Sequence, residues 1–119
     1  MTAVDHVRPA APAGAEDLLH RSCGGALGMT GIPGPPAPTA RGGSWFQGGA
    51  VRLHLGIEAD FRPARRAHPG LRGTGVDACA ARLRGHGAPV VRDDHPPGHR
   101  RFSSEDPVGN RLEFPEPGA

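Results

Sequence analysis

The chain has 119 residues, enough for one small domain, and its 14 basic and 12 acidic residues give a formal net charge of only +2. This mixed charge argues against a nucleic-acid-binding surface, and no apolar run is long enough to cross a membrane. Only 21 residues are Leu, Ile, Val or Phe, so the core is thin and would gain stability from a partner subunit or a bound metal. The two cysteines form no short-spacing motif, which is typical of a reduced, cytoplasmic protein.

The first quarter of the chain predicts a short strand followed by a helix. The segment "VDHV", which contains His6, is bounded by the Pro- and Ala-rich stretch "RPAAPAG" and predicts a brief strand. The segment "AEDLLHRSCGGALG" places its apolar residues, Leu18 and Cys23 among them, at helical spacing, with acidic residues in the first turn. Gly24 and Gly25 are expected to end or loosen this helix early.

A Pro/Gly-rich connection, "TGIPGPPAPTARGG", then leads to a predicted β-hairpin. The connection is too broken for any element to be assigned. The segments "SWF" and "AVRLHLGIE" flank "QGG", which is typical of a hairpin with Gly48 and Gly49 at its turn. In the second of these strands Leu53 and Leu55 share an apolar face, whereas His54 lies on the opposite, polar face. A histidine at mid-strand is uncommon there, so a chemical role for His54 depends on whether other ligand-type residues accompany it.

The second half of the chain begins with the same order of elements. The segment "AHPGLRG" is predicted to be extended, because a proline directly follows His68. The segment "TGVDACAARLRGHG" predicts a helix that opens with Thr74 and Asp77 in capping-box spacing. This helix is expected to end at Gly85 or Gly87.

Three further strands complete the prediction. They are "APVVRDD", "RRFSSED" and "NRLEFPE", and the turn "DPVGN" joins the last two. In the last strand Leu112 and Phe114 share one face and Glu113 lies on the other. The order strand, helix, three strands therefore occurs twice, which predicts a single domain, 1–119, of two βαβββ modules, 1–61 and 62–119.

With these elements in place, the chain resembles the vicinal oxygen chelate superfamily, which includes glyoxalase I, bleomycin-resistance proteins and extradiol dioxygenases. The resemblance covers nearly the whole chain and depends most on the opening "DHV" and the ending "RRFSSEDPVGNRLEF". It implies an α+β fold in which two βαβββ modules form an incomplete mixed β-barrel with the helices outside. Ser103, Ser104 and Pro115 stand where relatives tend to carry apolar residues, so looser packing is expected there.

The resemblance also implies a divalent metal site. Metalloenzymes of the superfamily carry ligands on the first and last strand of each module, and these positions match His6, His54, His68 and Glu113. Three imidazoles and a carboxylate suit Zn, Ni, Co, Mn or Fe(II). In a second arrangement His6, His68 and Glu113 form a two-histidine, one-carboxylate site, with His54 as a fourth ligand or a nearby general base. His54 and Glu113 are therefore also the candidate catalytic residues.

Two functions follow from the resemblance as expectations. The first is a metal-dependent lyase, isomerase or ring-cleaving dioxygenase that chelates two vicinal oxygens of a small substrate and stabilises an enediolate or binds a catecholate. The alternative is a metal-free, bleomycin-resistance-like protein that sequesters a drug or a small metabolite. The four convergent ligand positions favour the enzyme, because a binding cleft alone does not need them.

Four residues are candidates for substrate binding. Arg62 and Arg66, with Arg65 between them, precede His68 and suit an anionic substrate group, although a solvated linker explains them about as well. Trp45 and Phe102 are candidate walls of a cleft, with the core as the other possibility. A small molecule is the expected ligand, with neither nucleic acid nor membrane as a partner. A homodimer is expected because the chain is short and its core thin.

Overall fold

The computed structural model describes residues 1–33 and 44–116, which fall into two compact units, Met1–Arg62 and Pro63–Ala119. We call them the N-terminal and the C-terminal unit. Most of the predicted Pro/Gly-rich connection lies outside the described residues. Among the helices that are described, none has the length and apolar character needed to cross a membrane.

The helical part of the N-terminal unit starts as an α-helix and continues with a wider turn. Helix α1, Glu16–His20, runs directly into a π-helical segment, Arg21–Ala26. The expected loosening at the glycine pair is thus confirmed, because the wider turn contains Gly24 and Gly25. Leu18 lies in this helix, as its spacing predicted, but is 46% exposed. The core face of α1 is carried by Leu19 instead.

The sheet of the N-terminal unit has four strands in the order β1-β4-β3-β2. Their bounds are Ala10–Ala11 for β1, Thr30–Ile32 for β2, Ser44–Gly48 for β3 and Val51–Ile57 for β4. Strand β1 is parallel to β4, and the other neighbours are antiparallel. The predicted hairpin is confirmed, with Gly48 paired to Val51 and the left-handed Gly49 (φ +55°) in the two-residue turn.

The predicted first strand differs from the observed one. Val7 forms only an isolated bridge with Leu53, and β1 begins after Pro9. The backbone of this segment still follows β4, since the His54 amide donates to the Val7 carbonyl and the Gly56 amide to the Pro9 carbonyl, both at 2.9 Å. Pro9 has no N–H to donate, so a regular ladder cannot run through it. His6 nevertheless lies beside the middle of β4.

The C-terminal unit contains helix α2, Val76–Gly85, whose start differs from the prediction. Gly75 (φ +72°) precedes the helix and no side chain caps it, so the predicted capping box of Thr74 and Asp77 is wrong. The Asp77 carboxylate instead accepts hydrogen bonds from Arg92 and Arg100. The predicted end of the helix at Gly85 is confirmed.

Three antiparallel strands in the order β5-β6-β7 form the sheet of the C-terminal unit. Their bounds are Val91–Asp93, Arg100–Glu105 and Arg111–Glu116. The extended segment after His68 joins the free edge of β7, where the Leu71 amide donates to the Glu113 carbonyl and the Glu113 amide to the Pro69 carbonyl. Each unit therefore has the predicted order of an extended segment, a helix and three strands, and the fold is α+β.

The core of the C-terminal unit lies between helix α2 and one face of its sheet. Phe102 and Phe114 stack with their ring centroids 4.7 Å apart, and Leu83 of the helix is buried with them. Ser104 is also buried, and its hydroxyl has no hydrogen-bond partner among the described residues. Alternation along β6 and β7 leaves Ser103 and Glu113, which pair across the two strands, on the opposite face of the sheet.

Candidate functional site

The N-terminal unit brings two of the four candidate ligands together around an aromatic ring. The register of β3 and β4 places Trp45 directly opposite His54, and their rings stack at 4.3 Å with an interplanar angle of 9°. The His6 ring lies 4.9 Å from Trp45 and 6.1 Å from His54. The three rings lie opposite the core face, which carries Phe46 and Leu53 of the same strands. Trp45 therefore fixes the plane of the His54 ring.

His6 is held by its neighbour in an orientation suited to metal binding. Its Nδ1 lies 2.9 Å from Oδ2 of Asp5, and the hydrogen bond with His6 holds the pKa of the Asp5 carboxyl below its usual range. A carboxylate can only accept, so Nδ1 of His6 carries a hydrogen and Nε2 is the nitrogen left for coordination. Histidine ligands of metals are commonly oriented in this way by a carboxylate on the other ring nitrogen.

His54 is kept neutral over a wider pH range than an ordinary histidine. Partial burial lowers its pKa first, and the positive charge of Arg8 and the neighbouring His6 lower it further. Only the unprotonated ring can coordinate a metal or accept a proton. The surroundings of His54 therefore favour the form that either proposed role requires.

The C-terminal unit brings together the other two candidate ligands, His68 and Glu113. The backbone hydrogen bonds at the free edge of β7 place the segment that carries His68 beside Glu113. Nε2 of His68 lies 3.3 Å from Oε2 of Glu113, and Nδ1 of His68 donates to the carbonyl oxygen of Arg66 at 2.6 Å. Because Nδ1 carries the hydrogen, a neutral His68 presents the Nε2 lone pair to the carboxylate. Two acceptors then face each other, and a cation between them, either a proton or a metal ion, relieves the repulsion.

Arg101 also acts on Glu113, although sequence reasoning did not single it out. Its Nη1 lies 3.8 Å from Oε1 of Glu113, and its Nη2 donates to Oδ2 of Asp93 at 2.8 Å. The guanidinium thus hydrogen-bonds the carboxylate of Asp93 and lies at ion-pair distance from that of Glu113. The alternation in "RRFSSED" could have indicated the position of Arg101, because Arg101 must share a face with Ser103 if Phe102 faces the core.

The four candidate substrate-binding residues have different environments. Trp45 lies beside His54, as described above, and remains partly accessible. Phe102 is fully buried and stacks on Phe114, so it belongs to the core and is not available as a cleft wall. Arg62 and Arg66 are exposed, and Arg66 contributes to the site through its backbone carbonyl.

Each unit also carries a cavity. The one in the N-terminal unit has a volume of about 260 Å³ and is lined by Arg8, Ala10, Gly56, Ile57 and Glu58. The one in the C-terminal unit has a volume of about 480 Å³, and its lining residues include Arg65, Val91, Ser103, Glu105 and Arg111. By strand alternation Ser103, Glu105 and Arg111 share the sheet face of Glu113. Arg65, which stands between Arg62 and Arg66 in the sequence, therefore lies at this cavity.

The donor types fit a divalent metal ion, while the structure shows them as two pairs. Within residues 1–33 and 44–116 no group of three or more histidine, cysteine, aspartate or glutamate side chains is arranged to hold a metal. His6 and His54 form one pair, and His68 and Glu113 the other. Imidazole and carboxylate are the donors that Zn, Mn and Fe(II) sites use.

Comparison with solved structures identifies the class of protein. A glyoxalase family protein from Bacillus anthracis is 39% identical in sequence and superposes with a TM-score of 0.90, covering 98% of this chain and 96% of that one. The chain therefore belongs to the glyoxalase family of the vicinal oxygen chelate superfamily. The superfamily and fold class predicted from the sequence are thus confirmed.

More distant structures share the fold alone. The fosfomycin resistance protein FosX from Listeria monocytogenes, solved as a variant with Mn(II) and dihydroxypropylphosphonic acid, has a TM-score of 0.80 at 10% identity and covers 98% of this chain and 93% of that one. The antibiotic binding protein TnmS3 from Streptomyces sp. CB03234 has a TM-score of 0.70 at 22% identity and covers 99% of each chain. No protein-family model and no curated protein sequence matches the chain.

Proposed function

We propose that this chain is a metal-dependent enzyme of the glyoxalase and dioxygenase type, with His6, His54, His68 and Glu113 as ligands of one divalent ion. The observation that carries the proposal is the state of the imidazoles. Both His6 and His68 commit Nδ1–H to a fixed acceptor and present Nε2 as the lone-pair donor. The Mn(II) complex of FosX supports a metal in this fold, although its low identity makes that support one of analogy.

The His68–Glu113 pair gives the proposal its electrostatic argument. A proton shared by the pair relieves the repulsion between Nε2 and Oε2, and so does a divalent ion bound by both. The ion does so more strongly, because it carries two charges and coordinates both donors at once.

The residues then have distinct roles. When bound, the metal would act as a Lewis acid toward two adjacent oxygens of a small substrate. His54 serves as the fourth ligand or as the general base, and its lowered pKa keeps it unprotonated for either role. The Trp45 ring orients His54 and offers an apolar surface to the substrate. Lyase, isomerase and ring-cleaving oxygenase chemistry all fit these roles, because the fold alone does not determine the reaction.

Metal content tests the proposal directly. Untagged protein is expected to contain about one Zn, Ni, Co, Mn or Fe per chain by elemental mass spectrometry, or to take it up when folded. Glu113→Gln is expected to lose the metal while keeping its shape, and His99→Ala, which changes an exposed histidine outside both pairs, serves as the control. If the folded wild-type protein neither contains nor takes up any of these metals, the metalloenzyme proposal is wrong.

The alternative function is metal-free binding of a drug or small metabolite. It is favoured by the absence of a three-ligand group from the part of the chain that the structure describes. The stacked rings of Trp45 and His54 offer an aromatic surface that a flat ligand can use. If no metal binds, ligand screening by the fluorescence of Trp45, the only tryptophan in the chain, separates this function from an inactive paralogue.

We further propose that the protein is a cytoplasmic homodimer. Leu18 and Val91 are 46% and 63% exposed, and a partner copy that covered them would add apolar burial to a thin core. Cys23 and Cys79 form no disulfide, which agrees with a reducing compartment. Light scattering coupled to size-exclusion chromatography is expected to give twice the mass of the 12.3 kDa chain, and a monomer would contradict the assembly.

A further inference from the structure

The register of the C-terminal sheet places Arg101 between two carboxylates. Arg101 of β6 pairs with Asp93 of β5 on one side and with Pro115 of β7 on the other. Glu113 precedes Pro115 by two residues and is therefore the diagonal neighbour of Arg101 on the same sheet face. A long side chain can reach such a diagonal neighbour. Since Pro115 carries no polar side-chain group, the neighbouring strands offer the guanidinium the carboxylates of Asp93 and Glu113.

Asp93 fixes the direction of the Arg101 side chain. Nε and Nη2 of Arg101 both donate to Oδ2 of Asp93, at 3.2 and 2.8 Å. The other oxygen of Asp93, Oδ1, accepts a hydrogen bond from the His95 amide at 3.0 Å. The hydrogen bond from His95 and those from Arg101 hold the pKa of the Asp93 carboxyl below its usual range. Because a guanidinium is planar and rigid, fixing its Nε–Nη2 edge also fixes the direction of Nη1.

Glu113 presents one oxygen to Arg101 and the other to His68. Nη1 of Arg101 lies 3.8 Å from Oε1, and Nε2 of His68 lies 3.3 Å from Oε2. The ring of His68 is placed independently of Arg101, by the hydrogen bond from its Nδ1 to the Arg66 carbonyl and by the backbone pairing of its segment with β7. The terminal torsion of a glutamate is broad and two-fold, so its two oxygens exchange unless a neighbouring charge distinguishes them. Arg101 provides that charge on the Oε1 side.

We propose that Arg101 and Asp93 are positioning residues for Glu113. Asp93 directs Nη1 of Arg101 toward Oε1, and Oε2 is thereby left for His68. The use of Oε2 as a metal-binding oxygen rests on the metal-dependent function proposed above, whereas its orientation is a property of the chain itself. Positioning and charge alone have opposite effects on metal affinity. A positive charge beside a cation site repels the ion, but a residue that orients a ligand strengthens binding.

Metal affinity distinguishes these two effects. The probe is Zn(II), and competition with a chromophoric chelator measures its affinity. Arg101→Gln is expected to weaken Zn(II) binding about tenfold, as the loss of residues that support metal ligands does. Arg101→Lys is expected to weaken it as much, because it keeps the charge but lacks the rigid fork that Asp93 fixes. Asp93→Asn keeps an acceptor for the His95 amide and is expected to lie between the wild type and Arg101→Gln.

A second measurement needs no metal. In chelator-treated protein the Nε2 NMR signal of His68, identified by its absence from His68→Gln, reports the carboxylate that faces the ring. This signal is expected to move in both Arg101→Gln and Arg101→Lys. Arg84→Gln is the control for both measurements, since it removes the same charge from an exposed position on α2 and should leave the signal and the Zn(II) affinity unchanged.

The two measurements separate this proposal from the metal site. The positioning role is wrong if the Nε2 signal of Arg101→Gln, judged folded by its NMR dispersion, stays in place. It is also wrong if Arg101→Gln binds Zn(II) as tightly as the wild type or more tightly, or if Arg101→Lys behaves like the wild type, since charge alone would then suffice. A wild-type protein that binds no metal contradicts the metal site, and the Nε2 signal then decides the positioning role.

Discussion

The two pairs of candidate ligands are positioned by different kinds of contact in the two units. In the N-terminal unit His6 and His54 are both imidazoles, placed by the flat ring of Trp45 and accompanied by the positive charge of Arg8. In the C-terminal unit an imidazole faces a carboxylate directly, and the guanidinium of Arg101 lies at ion-pair distance from the other oxygen of that carboxylate. The first pair is thus organised by stacking and the second by charge.

The difference lies in how each Nδ1–H is satisfied. His6 uses the carboxylate of Asp5, a side chain that can be changed, whereas His68 uses the backbone carbonyl of Arg66, which no substitution removes. The result is the same in both units: Nδ1 carries a hydrogen, so Nε2 is the nitrogen left for coordination. The orientation of His6 can therefore be altered through its supporting side chain, but that of His68 cannot.

The largest effect on metal affinity is expected when the carboxylate of the His68–Glu113 pair is removed. Glu113→Gln is expected to weaken metal binding by more than about 100-fold, beyond what the loss of a supporting residue causes, because a neutral amide replaces the only carboxylate of the proposed ligand set. Competition with a chromophoric chelator measures the affinity. Glu105→Gln, an exposed change on the same sheet face, is the control, and equal affinities in the two variants would contradict a ligand role for Glu113.

A smaller effect on metal affinity is expected when Asp5, which accepts a hydrogen bond from His6, is changed. Asp5→Asn is expected to weaken metal binding by about 10- to 100-fold, because the amide is a poorer acceptor for Nδ1–H of His6 and makes Nε2 less basic. Asp17→Asn, an exposed change in the first turn of α1, should leave the affinity unchanged. If Asp5→Asn binds metal like the wild type, His6 is either no ligand or is oriented by other contacts.

The electrostatics of the stacked pair predict a pH dependence. Because the pKa of His54 is lowered by burial, Arg8 and His6, the fluorescence of Trp45 in metal-free protein should titrate below the ordinary histidine range. The unfolded chain takes up its proton first as the pH falls, so the contribution of His54 to stability is present above the ordinary pKa and declines below it. Arg8→Gln should move the fluorescence midpoint upward, since one cause of the lowering is removed. A midpoint that does not move would contradict the role of Arg8 in this shift.

Much of the fold was predictable because it depends on patterns local in sequence. Alternation placed His54 and Glu113 opposite the apolar faces of their strands, and helical spacing located α2. The start of β1 was not predictable in this way, because Pro9 interrupts its ladder while its neighbours still bond to β4. The capping-box prediction was wrong because the Asp77 carboxylate accepts hydrogen bonds from two arginines that are distant in sequence.

For the candidate site, the sequence could indicate only the candidate ligand positions, and their role as ligands stays a prediction. The roles of Asp5, Arg8 and Arg101 depend on side-chain contacts that cannot be inferred from the spacing of residue types along the chain. Phe102 and Trp45 look alike in sequence, since both are aromatic residues within alternating strands. Register separates them, because Trp45 pairs with His54 on the polar face and Phe102 pairs with Phe114 in the core.

The smallest effect concerns the core beneath the charged pair. Ser104 is 3% exposed, and its hydroxyl finds no partner among the described residues, so the C-terminal unit carries an unsatisfied polar atom in its core. Ser104→Ala is expected to raise the free energy of unfolding by about 1 kcal/mol, because the cost of desolvating that hydroxyl disappears. Ser103→Ala, on the opposite face of the same strand, should change it by less than about 0.5 kcal/mol. Denaturant unfolding measures the free energy of unfolding of both variants. If Ser104→Ala is less stable than the wild type, the hydroxyl of Ser104 has a hydrogen-bond partner in solution. That hydrogen bond would then offset the looser packing expected at this strand.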